Sequence, residues 1–106
     1  LFPMGSYKEC RDEALLSADA IVVDHVAQCL HRGALKDLAE AGRITESSIS
    51  ATLGELAAGK KSVTSSPSSR ILCIPIGTGA MDVAAAAVVL QRAEERNIGR
   101  TFDFAV

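Results

Sequence analysis

Two short apolar runs, Ala20-Ile-Val-Val-Asp24 and Ile71-Leu-Cys-Ile74, constrain this chain more than any other feature. Both are rich in β-branched residues and lack the apolar–polar alternation of a half-exposed strand. They read as strands buried on both faces, the habit of parallel sheets. Each is followed by a stretch with helical spacing. After the first run, Val26, Cys29, Leu30, Ala34, Leu38 and Ala41 share one face, with Gly42 as the stop, which predicts a helix over Val26 to Ala41. Thr52-Leu-Gly-Glu55 has the form of a capping box and opens a short helix ending near Gly59-Lys60. After the second run, Gly77-Thr-Gly79 turns the chain into a helix from about Ala80 to Asn97, with Gly99 as its stop.

Leu1 to Glu13 reads as a polar, glycine-containing entry segment, and Ser62 to Ser69 as a polar low-complexity loop. The predicted order is therefore strand, helix, helix, strand, helix. Strands alternating with helices argue for an α/β parallel sheet covered by helices. Two strands do not make a stable sheet alone, so the pattern predicts part of a larger domain. The length, 106 residues, allows one domain at most. Leu1 is not a native initiator, so a segment upstream is expected.

Composition narrows the class of function. With 48% hydrophobic and 23% charged residues, the chain reads as a soluble globular protein. A formal net charge of −2 gives no electrostatic reason to expect nucleic acid or an anionic membrane as partner. The longest apolar run, Val83 to Leu90, is mostly alanine and far too short to span a bilayer. The three cysteines, Cys10, Cys29 and Cys73, are odd in number and form no C-x-x-C pair. Reduced thiols in a cytoplasmic setting are the expectation.

Gly77-Thr-Gly-Ala-Met-Asp82 follows a strand and opens a helix, where backbone N–H groups attract anions. A dinucleotide fingerprint requires a third glycine, and Asp82 stands there instead. Ligand contact and a simple tight turn both remain open for these glycines. Asp82 itself reads as a first-turn carboxylate favoured by the helix dipole. Asp24-His25 ends the first strand, where ligands gather in open α/β sheets, and a solvated strand end explains the pair equally well. His31 reads as a surface helical residue. Neither histidine has metal-ligand spacing, and no metal site is expected. The serines at 65, 66, 68 and 69 read as loop filler.

Four segments, in order and over nearly the whole chain, resemble the ornithine cyclodeaminase/mu-crystallin family. They are Met4-Gly-Ser-Tyr-Lys-Glu-Cys-Arg-Asp-Glu13; Ala20-Ile-Val-Val-Asp24 with Gln28 and Gly33; Leu53-Gly-Glu-Leu-Ala-Ala-Gly-Lys60; and Ile76-Gly-Thr-Gly-Ala-Met-Asp82 with Ala85 and Gly99. The resemblance implies a Rossmann-like parallel sheet with flanking helices. Residues 1–106 would be the C-terminal portion, the second half, of an NAD(P)-binding domain. It implies NAD or NADP as cofactor, a small amino or imino acid as substrate, and a homodimer. Met4, Gly5, Ser6, Arg11 and Pro75 would lie beside the cofactor, and Ile76 and Gly77 beside the substrate.

Three positions depart from the family pattern. Tyr7 stands where cyclodeaminases carry the catalytic aspartate. A phenol keeps its proton at neutral pH, so it is a poor replacement for a carboxylate base. Pro75 stands where serine is usual, and His31-Arg32 where an acidic residue followed by a small one is common. The activity implied is an NAD(P)-dependent oxidoreductase on amino or imino acids, of ketimine reductase, alanine dehydrogenase or cyclodeaminase type. The alternative is a mu-crystallin-like dinucleotide and small-ligand binder with little turnover.

Overall fold

The computed structural model describes residues 1–103. Its elements in chain order are α1 (Asp12–Leu16), β1 (Ala20–Val23), α2 (Val26–His31), α3 (Lys36–Glu40), β2 (Ala51–Thr52), α4 (Leu53–Ala57), β3 (Ile71–Ile74) and α5 (Gly79–Glu95). Single 3-10 turns occupy Gly33–Leu35 and Glu46–Ser48. The sheet has three parallel strands in the order β2-β1-β3.

Both apolar runs form strands, and β1 is buried along its whole length, as a central parallel strand is. Ala20 to Val23 pair residue by residue with Ile71 to Ile74, while Val22 and Val23 pair with Ala51 and Thr52. The Asp19 carboxylate accepts the Arg70 N–H at 2.8 Å and pins the entrance of β1 to β3. On the outer edge of β3, the Leu1 nitrogen donates to the Ile71 carbonyl and the Cys73 N–H donates to the Leu1 carbonyl, both at 3.0 Å. That spacing is the parallel ladder pattern. The α/β class and parallel sheet expected from the sequence are therefore present.

The core lies between β1 and β3 on one side and, on the other, α1 and the helical segments that follow β1. Ile21, Val23, Leu72 and Ile74 meet Leu15, Cys29, Ala34, Leu35, Leu38 and Ile44. Leu35 and Leu38 are almost fully buried, and truncating such a leucine typically costs about 2–5 kcal/mol.

Four sequence expectations need correction. The helix predicted over Val26 to Ala41 is broken at Arg32-Gly33. Arg32 is extended (φ −143°, ψ 156°) and Gly33 has φ +75°. The apolar spacing continues across the break because both halves face the same core, so periodicity alone could not show it. A β carbon on Gly33 would lie 3.1 Å from the Gly5 carbonyl oxygen and 3.1 Å from Ile76 Cδ1. The break thus lets three chain segments meet. The second correction is β2, a two-residue strand immediately before the capping box. Third, the entry segment ends in α1, whose Leu15 is fully buried. Fourth, the last helix begins at Gly79 and ends at Glu95, with Asn97 in the left-handed region at φ 54°.

The capping box forms as expected. Thr52 Oγ1 accepts the Glu55 N–H at 3.2 Å, and Glu55 Oε2 accepts the Thr52 N–H at 2.9 Å. All three cysteines are free. Among the described residues no helix is long and apolar enough to cross a membrane.

Candidate functional site

The carboxyl ends of parallel strands point their terminal peptides into open space, and polar residues there become available for ligands. Here β1 ends at Asp24 and β3 continues into Pro75-Ile-Gly77. The two ends are joined by the Asp24 carboxylate. Its Oδ2 accepts the Gly77 N–H at 2.6 Å, and its Oδ1 accepts the His25 N–H at 2.8 Å and the Cys29 thiol at 3.2 Å. Gln28, on the first turn of α2, donates from Nε2 to the Gly77 carbonyl at 3.1 Å. Asp24 and Gln28 therefore hold both polar groups of Gly77, one from each side.

Protonation follows from these contacts. Burial pushes the Asp24 carboxyl up, but the Gly77 amide, the Cys29 thiol and the His25 and Ile76 amides together outweigh it. The carboxyl is held below its ordinary value. Burial, with the adjacent Asp24 carboxylate, pushes the Cys29 thiol up to about 11. Cys29 is therefore a protonated donor, not a nucleophile.

Gly77 sits at φ +97°, a region that side chains rarely adopt, and nothing lies within 4 Å of where its β carbon would be. The glycine is required by the backbone, and the space in front of it is open. Next to it, Gly5, Gly33 and the Ile76 side chain converge as described above. Arg32 donates to Ser6 Oγ at 3.1 Å, tying the entry segment to the break after α2. Farther along that segment, Lys8 bridges Asp12 at 2.8 Å and Asp37 at 3.2 Å.

Gly5 thus meets the Ile76 side chain at Gly33, and Ser6 is tied to Arg32 beside that meeting point. Pro75, which follows β3, is half-buried, and Met4 is exposed. Tyr7 is 82% exposed, with no hydrogen bond to its hydroxyl among the described residues. Arg11 is exposed and caps α1 through its carbonyl, which accepts the Ala14 and Leu15 amides. Asp24 is not a solvated strand end: it accepts three hydrogen bonds. Among the described residues no group of three or more His, Cys, Asp or Glu is placed to hold a metal ion.

No family model matches the chain. It is, however, 36% identical over 104 residues to an uncharacterized cyclodeaminase of Sinorhizobium fredii, covering 94% of this chain and 31% of that protein. It is 32% identical over 100 residues to an alanine dehydrogenase of Archaeoglobus fulgidus, with coverage of 94% and 31%. Its fold superposes on an archaeal alanine dehydrogenase, solved as a dimer with bound NAD, with a TM-score of 0.74 and 30% identity. That match covers 94% of this chain and 33% of the other.

The chain belongs to the ornithine cyclodeaminase/mu-crystallin family.

It spans about a third of the length of the family members it matches. Within the family's α/β architecture it corresponds to a partial Rossmann-type domain.

Proposed function

We propose that this chain is the C-terminal portion, residues 1–106, of an NAD(P)-binding domain, and that the protein containing it is an oxidoreductase acting on an amino or imino acid. The observation that carries this reading is the geometry at Gly77. Its peptide is held by Asp24 and Gln28, and it faces open space at the carboxyl edge of a parallel sheet in a family whose alanine dehydrogenase binds NAD.

The residues fit a nicotinamide. A glycine without a β carbon leaves room for a flat ring to approach the backbone. When bound, the cofactor supplies or accepts a hydride at a carbon bearing nitrogen. Met4, Gly5, Ser6, Arg11 and Pro75 contact the cofactor, and Ile76 and Gly77 border the substrate. Asp24 and Gln28 keep the Gly77 peptide from rotating, so the surface presented to ring and substrate is fixed before either arrives. The rest of the polypeptide covers α5, and two copies pair, as in the dimeric alanine dehydrogenase. Three free cysteines suit the cytoplasm.

A second reading rests on Tyr7. With an exposed phenol where cyclodeaminases carry a carboxylate, a dinucleotide and small-ligand binder with little turnover is the rival. Both are tested in the longer protein by the fluorescence of bound NADH and by oxidation of NAD(P)H with cyclic imines or with pyruvate plus ammonia. We expect measurable binding and slow turnover. Gly77→Val weakens cofactor binding, because a β-branched side chain there is strained and fills the open face, whereas His31→Ala leaves it unchanged. Normal binding by Gly77→Val with loss in His31→Ala would overturn the placement. Tight binding without reduction of any substrate would decide for the binder.

A further inference from the structure

The strand order β2-β1-β3 means that the connection from β1 to β2 and the connection from β2 to β3 run in opposite directions across the sheet. Parallel crossovers are right-handed almost without exception. Two such crossovers in opposite directions leave the sheet on opposite faces. The chain therefore parts on either side of the sheet just beyond the carboxyl ends of β1 and β2. Such a parting is the topological switch point, where open α/β sheets form ligand crevices.

A cavity of about 580 Å³ lies there, between the starts of α2 and α4. That volume is ample for a small ligand. Val26, Ile49 and Ala51 form its apolar lining. Its polar lining is His25, Glu46, Thr52, Glu55 and Lys61. The Ile76–Gly77 site, at the end of β3 on the other side of β1, contributes none of these residues.

The polar groups divide into used and unused. Glu55 is committed: Oε2 accepts from Thr52, and Oε1 pairs with Lys61 Nζ at 3.1 Å. The Lys61 ammonium has three donors, and this pair uses one of them. His25 Nδ1 accepts the Gln28 N–H at 3.3 Å, so the neutral ring carries its proton on Nε2, which has no acceptor among the described residues. Glu46 has neither a hydrogen bond to its carboxylate nor an ion pair among the described residues. The lining thus includes one unmatched carboxylate, on Glu46, and unmatched N–H donors on His25 and Lys61. Its charges, with His25 neutral, leave one negative charge over.

We propose that this crevice is a second small-ligand site, and that its ligand is a zwitterionic α-amino acid. The ammonium of the ligand pairs with Glu46, and its carboxylate accepts from Lys61 and the His25 Nε2–H. A simple carboxylate would leave Glu46 unmatched, and a simple amine would leave the donors unmatched. The apolar lining of Val26, Ile49 and Ala51 selects a short aliphatic side chain.

The test is a titration of the 106-residue chain with L-alanine, followed by the amide resonances of a ¹⁵N-labelled sample, with acetate and methylammonium as half-ligands. L-alanine should saturate shifts at Val26, Ala27, Glu46, Thr52 and Lys61, roughly tenfold more tightly than either half-ligand, as charge-assisted hydrogen bonds at both ends predict. Glu46→Gln should weaken L-alanine and methylammonium roughly tenfold while sparing acetate, and Lys61→Met should do the reverse for the half-ligands. Both positions are exposed, and unchanged resonances elsewhere confirm that each variant folds. Shifts that stay linear into the high millimolar range would overturn the proposal. So would saturation that neither substitution alters, or binding of acetate as tight as that of L-alanine.

Discussion

Both oxygens of the Asp24 carboxylate accept from donors on different stretches of chain: Gly77 beyond β3, and His25 and Cys29 on the α2 side. The charged form is what these donors stabilise, so the folded carboxyl titrates below the unfolded one. A lowered folded value has a definite sign. The stability it contributes is complete above the unfolded value of about 3.9 and is lost as pH falls through the lowered folded value. We therefore expect the melting temperature to drop between neutral pH and roughly pH 3 by more in the wild type than in Asp24→Asn, which has no proton to gain. The variant should already melt lower at neutral pH, because its amide nitrogen faces a donor. Equal acid sensitivity in the two proteins would mean that Asp24 is not the group that titrates. Short motifs in the sequence drew attention to Gly5, Ser6, Ile76 and Gly77. The clamp on Gly77 was not legible there, because it joins residues 49 and 53 positions apart and no local pattern carries that distance.

Apart from Asp82, α5 is apolar on every side over its first three turns, yet none of its residues is buried. Val83, Val89 and Leu90 are 71%, 67% and 60% exposed. A helix that is apolar all round is normally buried by other elements, and this one contributes almost nothing to the core described above. Removing residues 79–106 should therefore leave the melting temperature within about 4 °C of the intact chain, a change worth less than about 1 kcal/mol in a domain of this size. Circular dichroism on both chains checks it. A fall of more than roughly 10 °C would show that α5 packs on the sheet in solution. The helix itself was plain from its alanines and the glycine turn before it. What the sequence could not show was its lack of a partner here, since apolar spacing states that a face needs cover and not what covers it. The same limit explains the break at Gly33. The spacing of Cys29, Ala34 and Leu38 fits one continuous helix, and only the close approach of Gly5 and Ile76 forces the two halves apart. β2 escaped notice because two residues, Ala51 and Thr52, leave no periodicity to read.

The described residues have a radius of gyration of 17.8 Å and extents of 52 × 33 × 20 Å. A compact domain of this length would have a radius of about 13 Å. The excess agrees with α5 standing off the sheet, and with a chain that covers about a third of its relatives' length. Dinucleotide affinity rests first on the pyrophosphate, held at a glycine-rich turn and helix N-terminus with the pattern G-x-G-x-x-G. In this chain Gly77 and Gly79 supply two of the three glycines, and Asp82, a carboxylate, stands at the third. A negative side chain in that place repels phosphate. The groups that converge at Gly77 suit a nicotinamide ring, whose share of the binding energy is the smaller part. Calorimetric titration of the 106-residue chain with NADH should accordingly give a dissociation constant no tighter than roughly 1 mM, about −4 kcal/mol. The longer protein should bind at least a hundredfold more tightly, a difference of about 2.8 kcal/mol supplied by a phosphate site outside these residues. Low-micromolar binding by the 106-residue chain itself would mean that its own glycine turn holds the pyrophosphate. The open face of Gly77 would then have to be reassigned from the ring to the phosphates.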